Sequence, residues 1–204
     1  MKTQSLARDF FPVVCLGGAA SAPSDYVELI RRLPADLGVA IVVINHLRMI
    51  AALLHEALPR YTTMPVDVIT DKLVIRPNRV FILVAERDLH VLDGEFRLMT
   101  TSKPQGWPDV VTVFLRSLAR NWDGQLVAVI LSGYDGDGAG ALREVKDVGG
   151  ITIAQNVESS GQPDMPLSAI SSGCIDFVLS VEGIAKEIER VVCAARAESL
   201  RARQ

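Results

Sequence analysis

Short, continuous apolar runs alternate with amphipathic helical patterns along this chain, and that alternation strongly constrains its fold. Val39 to Ile44 and Leu126 to Leu131 are uninterrupted runs of strand length, whereas residues 24–33 and 110–121 place apolar side chains at helical spacing. A strand that is apolar at every residue must be covered on both faces, as in a parallel sheet with helices on either side. The sequence therefore predicts an α/β fold of the doubly wound kind, with a mostly parallel sheet and helices on both faces.

The same patterns predict the remaining elements, including a small antiparallel excursion in the middle of the chain. Residues 89–98 alternate about an Asp93-Gly94 turn, which predicts a hairpin. Gly17 and Gly18 are expected to end the first strand and to begin a turn. The other predicted strands are 12–16, 66–69, 80–84, 151–154 and 177–179, and the other predicted helices are 51–58, 138–148, 165–172 and 181–201.

Composition limits the functional classes. The chain has 204 residues, 49% of them hydrophobic, and a formal net charge of -3, so a single domain with a substantial core is expected. A pI near 5.6 does not provide the basic footprint of a nucleic-acid-binding protein. No apolar run reaches the ~18 residues of a membrane span, so no membrane insertion is expected.

Cysteine and histidine usage indicates a reducing compartment and no metal centre. The three cysteines, Cys15, Cys174 and Cys193, form an odd set without C-x-x-C spacing, and the N-terminus lacks the apolar segment of a secretory signal. We therefore expect a cytoplasmic protein. No paired histidine or cysteine spacing predicts a metal site.

Three loops that follow predicted strands carry the polar groups from which a site could be built. They are residues 17–23, 45–47 and 132–138, and together they offer a hydroxyl, an imidazole and carboxylates. Because the carboxyl ends of parallel strands meet at one edge of the sheet, near a topological switch point, we expect these loops to share one site.

Each candidate side chain has a structural and a functional interpretation. His46 is either a buried histidine with a satisfied hydrogen bond or a general base, since imidazole titrates near neutral pH. Asp135 and Asp137 suit turns and helix N-caps, or one of them orients the imidazole as the acid does in a Ser-His-Asp site. His55 and His90 fall within a predicted helix and a predicted hairpin, so structural roles are expected for them.

The glycine-rich segment after the first strand is open to three interpretations. It lacks both G-x-G-x-x-G and the P-loop pattern, so it is a weak nucleotide site. Its small residues could instead bring backbone N–H groups to an anion or an oxyanion, or could only allow a tight turn.

These loops resemble, in the same order, the catalytic domain of the bacterial chemotaxis protein-glutamate methylesterases of the CheB type. The family motifs are G-A-S-[TA]-G-G, Q-H and T-G-M-G-x-D-G. Here Asn45-His46 matches the second motif and residues 132–138 (SGYDGDG) match the third. Residues 153–156 and Met165-Pro166 are also similar, and the resemblance extends from about Val13 to Val192.

The resemblance implies roles for individual residues. His46 is implied to be the general base and Asp137 the carboxylate that orients it. Ala20, Tyr134 and Met165 are implied to lie at oxyanion or substrate-binding positions. Ungapped counting places the family serine at Ala19, which has no hydroxyl.

Ser21 is the alternative nucleophile, but it lies two residues after the family position. It could replace the missing hydroxyl only if the turn were rebuilt, because near-attack geometry tolerates about 1 Å. Ser21 could otherwise be an N-cap of the helix that follows, with Pro23 in its first turn. Removal of a triad nucleophile typically costs about a millionfold in kcat.

The implied activity is hydrolysis of glutamyl methyl esters, with glutamine deamidation in some members, on chemoreceptor helices and without a cofactor. A catalytically impaired homologue that binds a related signalling protein, and an anion or nucleotide binder, remain as alternatives. Residues 103–108, the substrate-facing segment, lack the arginines expected from the family and so depart from its pattern.

Domain boundaries follow from the same comparison. We expect an N-terminal extension at 1–12, the methylesterase-type domain at 13–195 and a charged tail at 196–204 that frays. Family members usually carry an N-terminal receiver domain, for which the residues before the first strand are too few. A free-standing catalytic-type domain or an excised fragment is therefore expected.

Overall fold

A computed structural model describes residues 11–19, 23–84, 86–103 and 109–202, with side chains up to residue 197. Nine strands lie in these ranges: β1 Val13–Ala19, β2 Ala40–Asn45, β3 Val66–Val68, β4 Arg79–Leu83, β5 Asp88–Leu92, β6 Glu95–Met99, β7 Leu126–Gly133, β8 Ile151–Gln155 and β9 Phe177–Leu179. The α-helices are α1 Ser24–Ile30, α2 Arg48–Ala57, α3 Val110–Asn121, α4 Leu142–Asp147, α5 Asp164–Ser171 and α6 Val181–Ala202. Short 3₁₀ turns cover Leu58–Arg60, Ala139–Ala141 and Val157–Ser159.

Seven strands form one parallel sheet in the order β3-β4-β2-β1-β7-β8-β9. On one side of β1 lie β2, β4 and β3, and on its other side lie β7, β8 and β9. The topological switch point therefore lies between β1 and β7, where a doubly wound sheet opens a crevice at its carboxyl edge.

Alternating residues of the central strands enter two separate cores, one on each face of the sheet. Val14 and Leu16 of β1 pack with α1, α2 and α6, whereas Val13 and Cys15 pack with α3, α4, α5 and the hairpin. The predicted doubly wound fold with helices on both faces is thus confirmed. Among the described residues, no helix has the length and apolar character that a bilayer span requires.

The predicted hairpin is also confirmed. β5 and β6 pair antiparallel as a separate two-stranded sheet. Asp93 and Gly94 both have positive φ, 54° and 77°, at the turn. A two-residue hairpin turn with both central residues in this region matches the twist of the strands.

Two sequence-based expectations differ from the structure. Gly17 and Gly18 do not turn the chain, because β1 continues through them to Ala19. The single helix predicted for 138–148 is a 3₁₀ turn followed by the short α4. Gly138 has a φ of 90°, which is outside the helical region and delays the start of the helix.

Candidate active site

His46 and Asp137 meet at the carboxyl edge of the sheet. His46 directly follows β2, and Asp137 lies in the loop after β7, ninety-one positions later in the sequence. His46 Nε2 is 2.8 Å from Asp137 Oδ2, and the two side chains are 1% and 2% exposed. The predicted convergence of these loops on one site is present, and the pair is shielded from water.

Asp137 is held in place by backbone N–H groups as well as by the imidazole. Its Oδ2 accepts a hydrogen bond from Val111 N at 2.7 Å, and its Oδ1 accepts from Thr112 N at 2.8 Å and Gly138 N at 2.7 Å. The residue at the N-cap of α3, Asp109, makes no side-chain cap hydrogen bond. Asp137 therefore caps α3 from another part of the chain, which fixes its carboxylate relative to the sheet.

Asp135 lies on the other side of the imidazole. Its Oδ2 is 3.0 Å from His46 Nδ1, an ion-pair contact rather than a well-aligned hydrogen bond. Its Oδ1 accepts from Asp137 N at 2.8 Å, which is an Asx turn. The turn role predicted for Asp135 is thus confirmed, but the same side chain also contacts the imidazole.

The two carboxylates change the acid–base properties of the site. Burial lowers the pKa of His46, but its interactions with Asp135 and Asp137 outweigh this and raise the pKa to about 9. Burial raises the pKa of Asp137, but hydrogen bonds from His46 and Thr112 outweigh it and hold the pKa below its usual value. The two carboxylates therefore favour the protonated form of the imidazole.

The end of β1 reaches this site without a hydroxyl among its described residues. Gly18 O accepts a hydrogen bond from His46 N at 3.4 Å, so the last residues of β1 lie beside the backbone of His46. Ala19, where the sequence resemblance places the family serine, is fully buried and pairs with Gly133 of β7. Ala20 and Ser21 lie outside the described residues, so the oxyanion role of Ala20 and the nucleophilic role of Ser21 stay predictions.

The residue at the N-cap of α1 is Pro23, so the N-cap role considered for Ser21 is wrong. Asp25 in the first turn of α1 places a negative charge there, which disfavours an anion at this helix end. The glycines before it belong to β1 rather than to a phosphate-binding turn.

The glycines of β1 allow close packing instead. A Cβ on Gly17 would lie 2.5 Å from Val111 Cγ1 of α3. A Cβ on Gly18 would lie 2.5 Å from Tyr26 Oη and 2.9 Å from Ser132 O. Glycine is needed in this strand because a helix and a neighbouring strand approach its backbone.

Tyr134 and Met165, the other two residues implied for substrate binding, flank the end of β7. Tyr134 follows the strand and is 43% exposed. Met165 begins the buried face of α5, and a Cβ on Gly133 would lie 2.1 Å from its sulfur. Met165 thus packs against the end of β7, whereas Tyr134 is exposed directly after it, and their substrate-binding roles stay predictions. His55 and His90 lie elsewhere, in α2 and β5.

A buried polar network next to the site was not predicted. Ser132 Oγ donates to Asp25 Oδ2 at 2.8 Å, and Ser132 N donates to Gln155 Oε1 at 2.9 Å. Gln155 Nε2 in turn donates to Asp25 Oδ2 at 3.1 Å. The network joins α1, β7 and β8 at the carboxyl edge. The available sequence signal was Gln155, a polar residue directly after the predicted strand 151–154.

Comparison with known proteins decides the family. The sequence profile of the CheB methylesterases matches residues 14–188. The chain belongs to the CheB methylesterase family. The crystal structure of the Thermotoga maritima CheB methylesterase catalytic domain superposes with a TM-score of 0.77 at 26% identity, over 89% of this chain and 99% of that one.

Curated relatives of the CheB family carry a two-part name. A protein-glutamate methylesterase/protein-glutamine glutaminase of Burkholderia thailandensis is 32% identical over 184 residues, which are 89% of this chain and 54% of the relative. One of the same name from Burkholderia lata is 34% identical over 86% of this chain and 52% of the relative. The chain therefore spans about half the length of the curated relatives it matches. Of the divergent segment 103–108, residues 104–108 lie outside the described part.

Proposed function

We propose that this chain is a methylesterase-type domain that acts on glutamyl methyl ester or glutamine side chains of chemoreceptor helices in the cytoplasm. The observation that supports it most is the buried His46–Asp137 pair, with Nε2 and Oδ2 2.8 Å apart at the switch point of the family's sheet. The names of the relatives supply the substrate class. The proposed boundaries are those stated above, 13–195 for the domain.

In this proposal Ser21 supplies the attacking oxygen. Its Oγ forms a bond to the ester carbonyl carbon while its proton passes to His46 Nδ1, because Asp137 already occupies Nε2. Collapse of the tetrahedral intermediate breaks the bond to the methoxy group, which leaves as methanol with that proton. Water then attacks the acyl-enzyme in the same manner and releases the carboxylic acid. Backbone N–H groups near Ala20 and Tyr134 are proposed to stabilise the oxyanion.

Binding without hydrolysis is the second candidate, and the alanine at the family serine position favours it. Ala19 is buried at the end of β1 and cannot form an acyl-enzyme. For hydrolysis, the Ser21 hydroxyl must reach the place that the serine two positions earlier occupies in the family. If it does not, the domain retains the recognition surface and lacks the nucleophile.

An activated ester separates the two candidates. The wild-type protein, assayed above the pKa of His46, should give a stoichiometric burst of leaving group and an acyl adduct on Ser21 by mass spectrometry. Ser21→Ala should abolish both, whereas the control Ser24→Ala, at the exposed start of α1, should retain them.

Absence of burst and adduct in the wild-type protein would reject the hydrolytic proposal. Binding of a methyl-esterified receptor-helix peptide in that case would establish the second candidate. Ala19→Ser, which returns a hydroxyl to the family position, should then gain a burst.

A further inference from the structure

Asp135 departs from the family motif, and the proposed mechanism gives its carboxylate no role. In T-G-M-G-x-D-G the residue after methionine is glycine, and in this chain it is Asp135. Its carboxylate is 3.0 Å from His46 Nδ1, while Asp137 is 2.8 Å from Nε2. Both ring nitrogens therefore face carboxylate oxygens.

A Ser-His-acid site requires a different arrangement. One imidazole nitrogen pairs with the acid, and the other must carry a lone pair that accepts the proton of the nucleophile. An ionised carboxylate is acceptor-only, so a nitrogen that faces one is favoured only when it carries a proton. Two such contacts on one ring favour the imidazolium, in which both nitrogens carry a proton.

We infer that Asp135 is a positioning residue that occupies the nucleophile-facing side of His46 and holds the ring in its doubly protonated form. Its own placement is fixed, because its other oxygen accepts the Asp137 amide at 2.8 Å. The two contacting atoms, His46 Nδ1 and Asp135 Oδ2, are both buried, although the Asp135 side chain as a whole is 19% exposed and that of His46 is 1% exposed.

Few titratable groups in the described residues face His46. In the described residues, the titratable groups that act on His46 are Asp135 and Asp137, both from the loop after β7. From β1, Cys15 lies near Asp137, and burial keeps this thiol neutral by raising its pKa. From α3, two backbone N–H groups face Asp137. From α2, Arg48 begins the helix two residues after His46 and is exposed.

If the chain hydrolyses esters as proposed above, Asp135 restrains that hydrolysis at neutral pH. This consequence rests on the proposed function. The ring accepts a proton only after it loses one, so the rate should rise as pH passes the pKa of His46. Loss of the Asp135 charge should move that rise to lower pH.

An NMR titration of the full chain tests the inference without turnover. In the wild-type protein at pH 7, both His46 ring nitrogens should show protonated ¹⁵N shifts, and titration should occur near 9. Asp135→Asn keeps the Asx-turn acceptor and removes the charge, and should lower the pKa of His46 by about one unit or more. Asp135→Gly, the family residue, should do the same. The control Asp147→Asn, at the exposed end of α4, should leave it unchanged.

Two results would overturn the inference. One is a wild-type ring with an unprotonated nitrogen at pH 7, a measurement that no variant's folding affects. The other is an unchanged titration in folded Asp135→Asn or Asp135→Gly. If methanol release occurs, Asp135→Asn should increase it about tenfold at neutral pH for a one-unit shift. If no release occurs at any pH, the proposed function fails while the NMR result still decides the role of Asp135.

Discussion

The ends of β1 and β7 lie side by side at the carboxyl edge, yet they contribute opposite chemistry. The end of β1 consists of glycine and alanine, packed so closely that a Cβ on either glycine meets a neighbour at 2.5 Å. The loop after β7 carries two carboxylates that contact one imidazole. The β1 end is a small, apolar wall, whereas the β7 end is charged and extensively hydrogen-bonded.

Under the proposed function, this difference places the acid and the imidazole on the β7 and β2 sides and leaves the nucleophile to Ser21. The β7 end keeps the acid of the family motif and adds a second one, while the β1 end lacks the hydroxyl at the family position. Catalysis then depends on what Ser21 contributes, and binding does not. The three predictions that follow perturb the β7 end, its charge and the contact between the two ends.

The largest effect is expected from Asp137→Ala. The substitution removes the cap of α3 and leaves His46 and three backbone N–H groups without this acceptor. We expect a loss of about 3–5 kcal/mol in the free energy of unfolding, because one partner of a buried charged pair is removed. Urea denaturation measures it, with Asp147→Ala as an exposed control that should change stability by less than about 0.5 kcal/mol. A loss below about 1 kcal/mol would show that the β7 end is not a structural anchor.

The charge at the β7 end should make stability depend on alkaline pH. His46 has a pKa near 9 in the folded protein, above the ordinary value of 6.5, so its charged form stabilises the fold. That contribution is complete below about pH 6.5 and is lost as pH rises through 9. The wild-type protein should therefore lose about 3 kcal/mol of this contribution by pH 10, measured against His46→Gln. A pH-independent difference between the two proteins from pH 6 to 10 would show that His46 is not held as an imidazolium.

A smaller effect is expected from Gly133→Ala, which acts on the contact between the two ends. The added Cβ would lie 2.1 Å from Met165 Sδ and 2.8 Å from Ala19 N, and the backbone contact cannot be relieved by a rotamer change. We expect a destabilisation of about 1–3 kcal/mol by thermal or urea unfolding. Gly161→Ala is the matched control, because no atom lies within 4 Å of its Cβ position. Equal stability of the two variants would mean that the ends of β1 and β7 can separate without cost.

Local patterns predicted the β2 and β7 sides of the site. Continuous apolar runs identify the parallel strands, and parallel strands bring the residues that follow them to one edge, so His46 and Asp137 were expected to meet. The tight structure of the β1 side was not predicted. Paired glycines are typical of a turn, but Gly17 and Gly18 are strand residues. Glycine is needed there because Val111 and Tyr26, distant in the sequence, approach them closely.

The roles of Asp135 and Asp137 show the same limit. Sequence spacing favours either a turn or an orienting acid, and the structure uses both because the N-terminus of α3 packs against the loop after β7. The hydrogen bonds that cap α3 join residues 25 and 26 positions apart. No local pattern specifies such a contact, since it depends on how the helix packs on the sheet.

Methanol release from a methyl-esterified chemoreceptor fragment tests the proposed function most directly, with the wild-type protein, His46→Ala and the control His55→Ala compared from pH 7 to 10. The account predicts release by the wild-type protein that rises with pH toward 9, loss of release in His46→Ala, and no change in His55→Ala. Release that persists in His46→Ala, or no release by the wild-type protein at any pH, would contradict it.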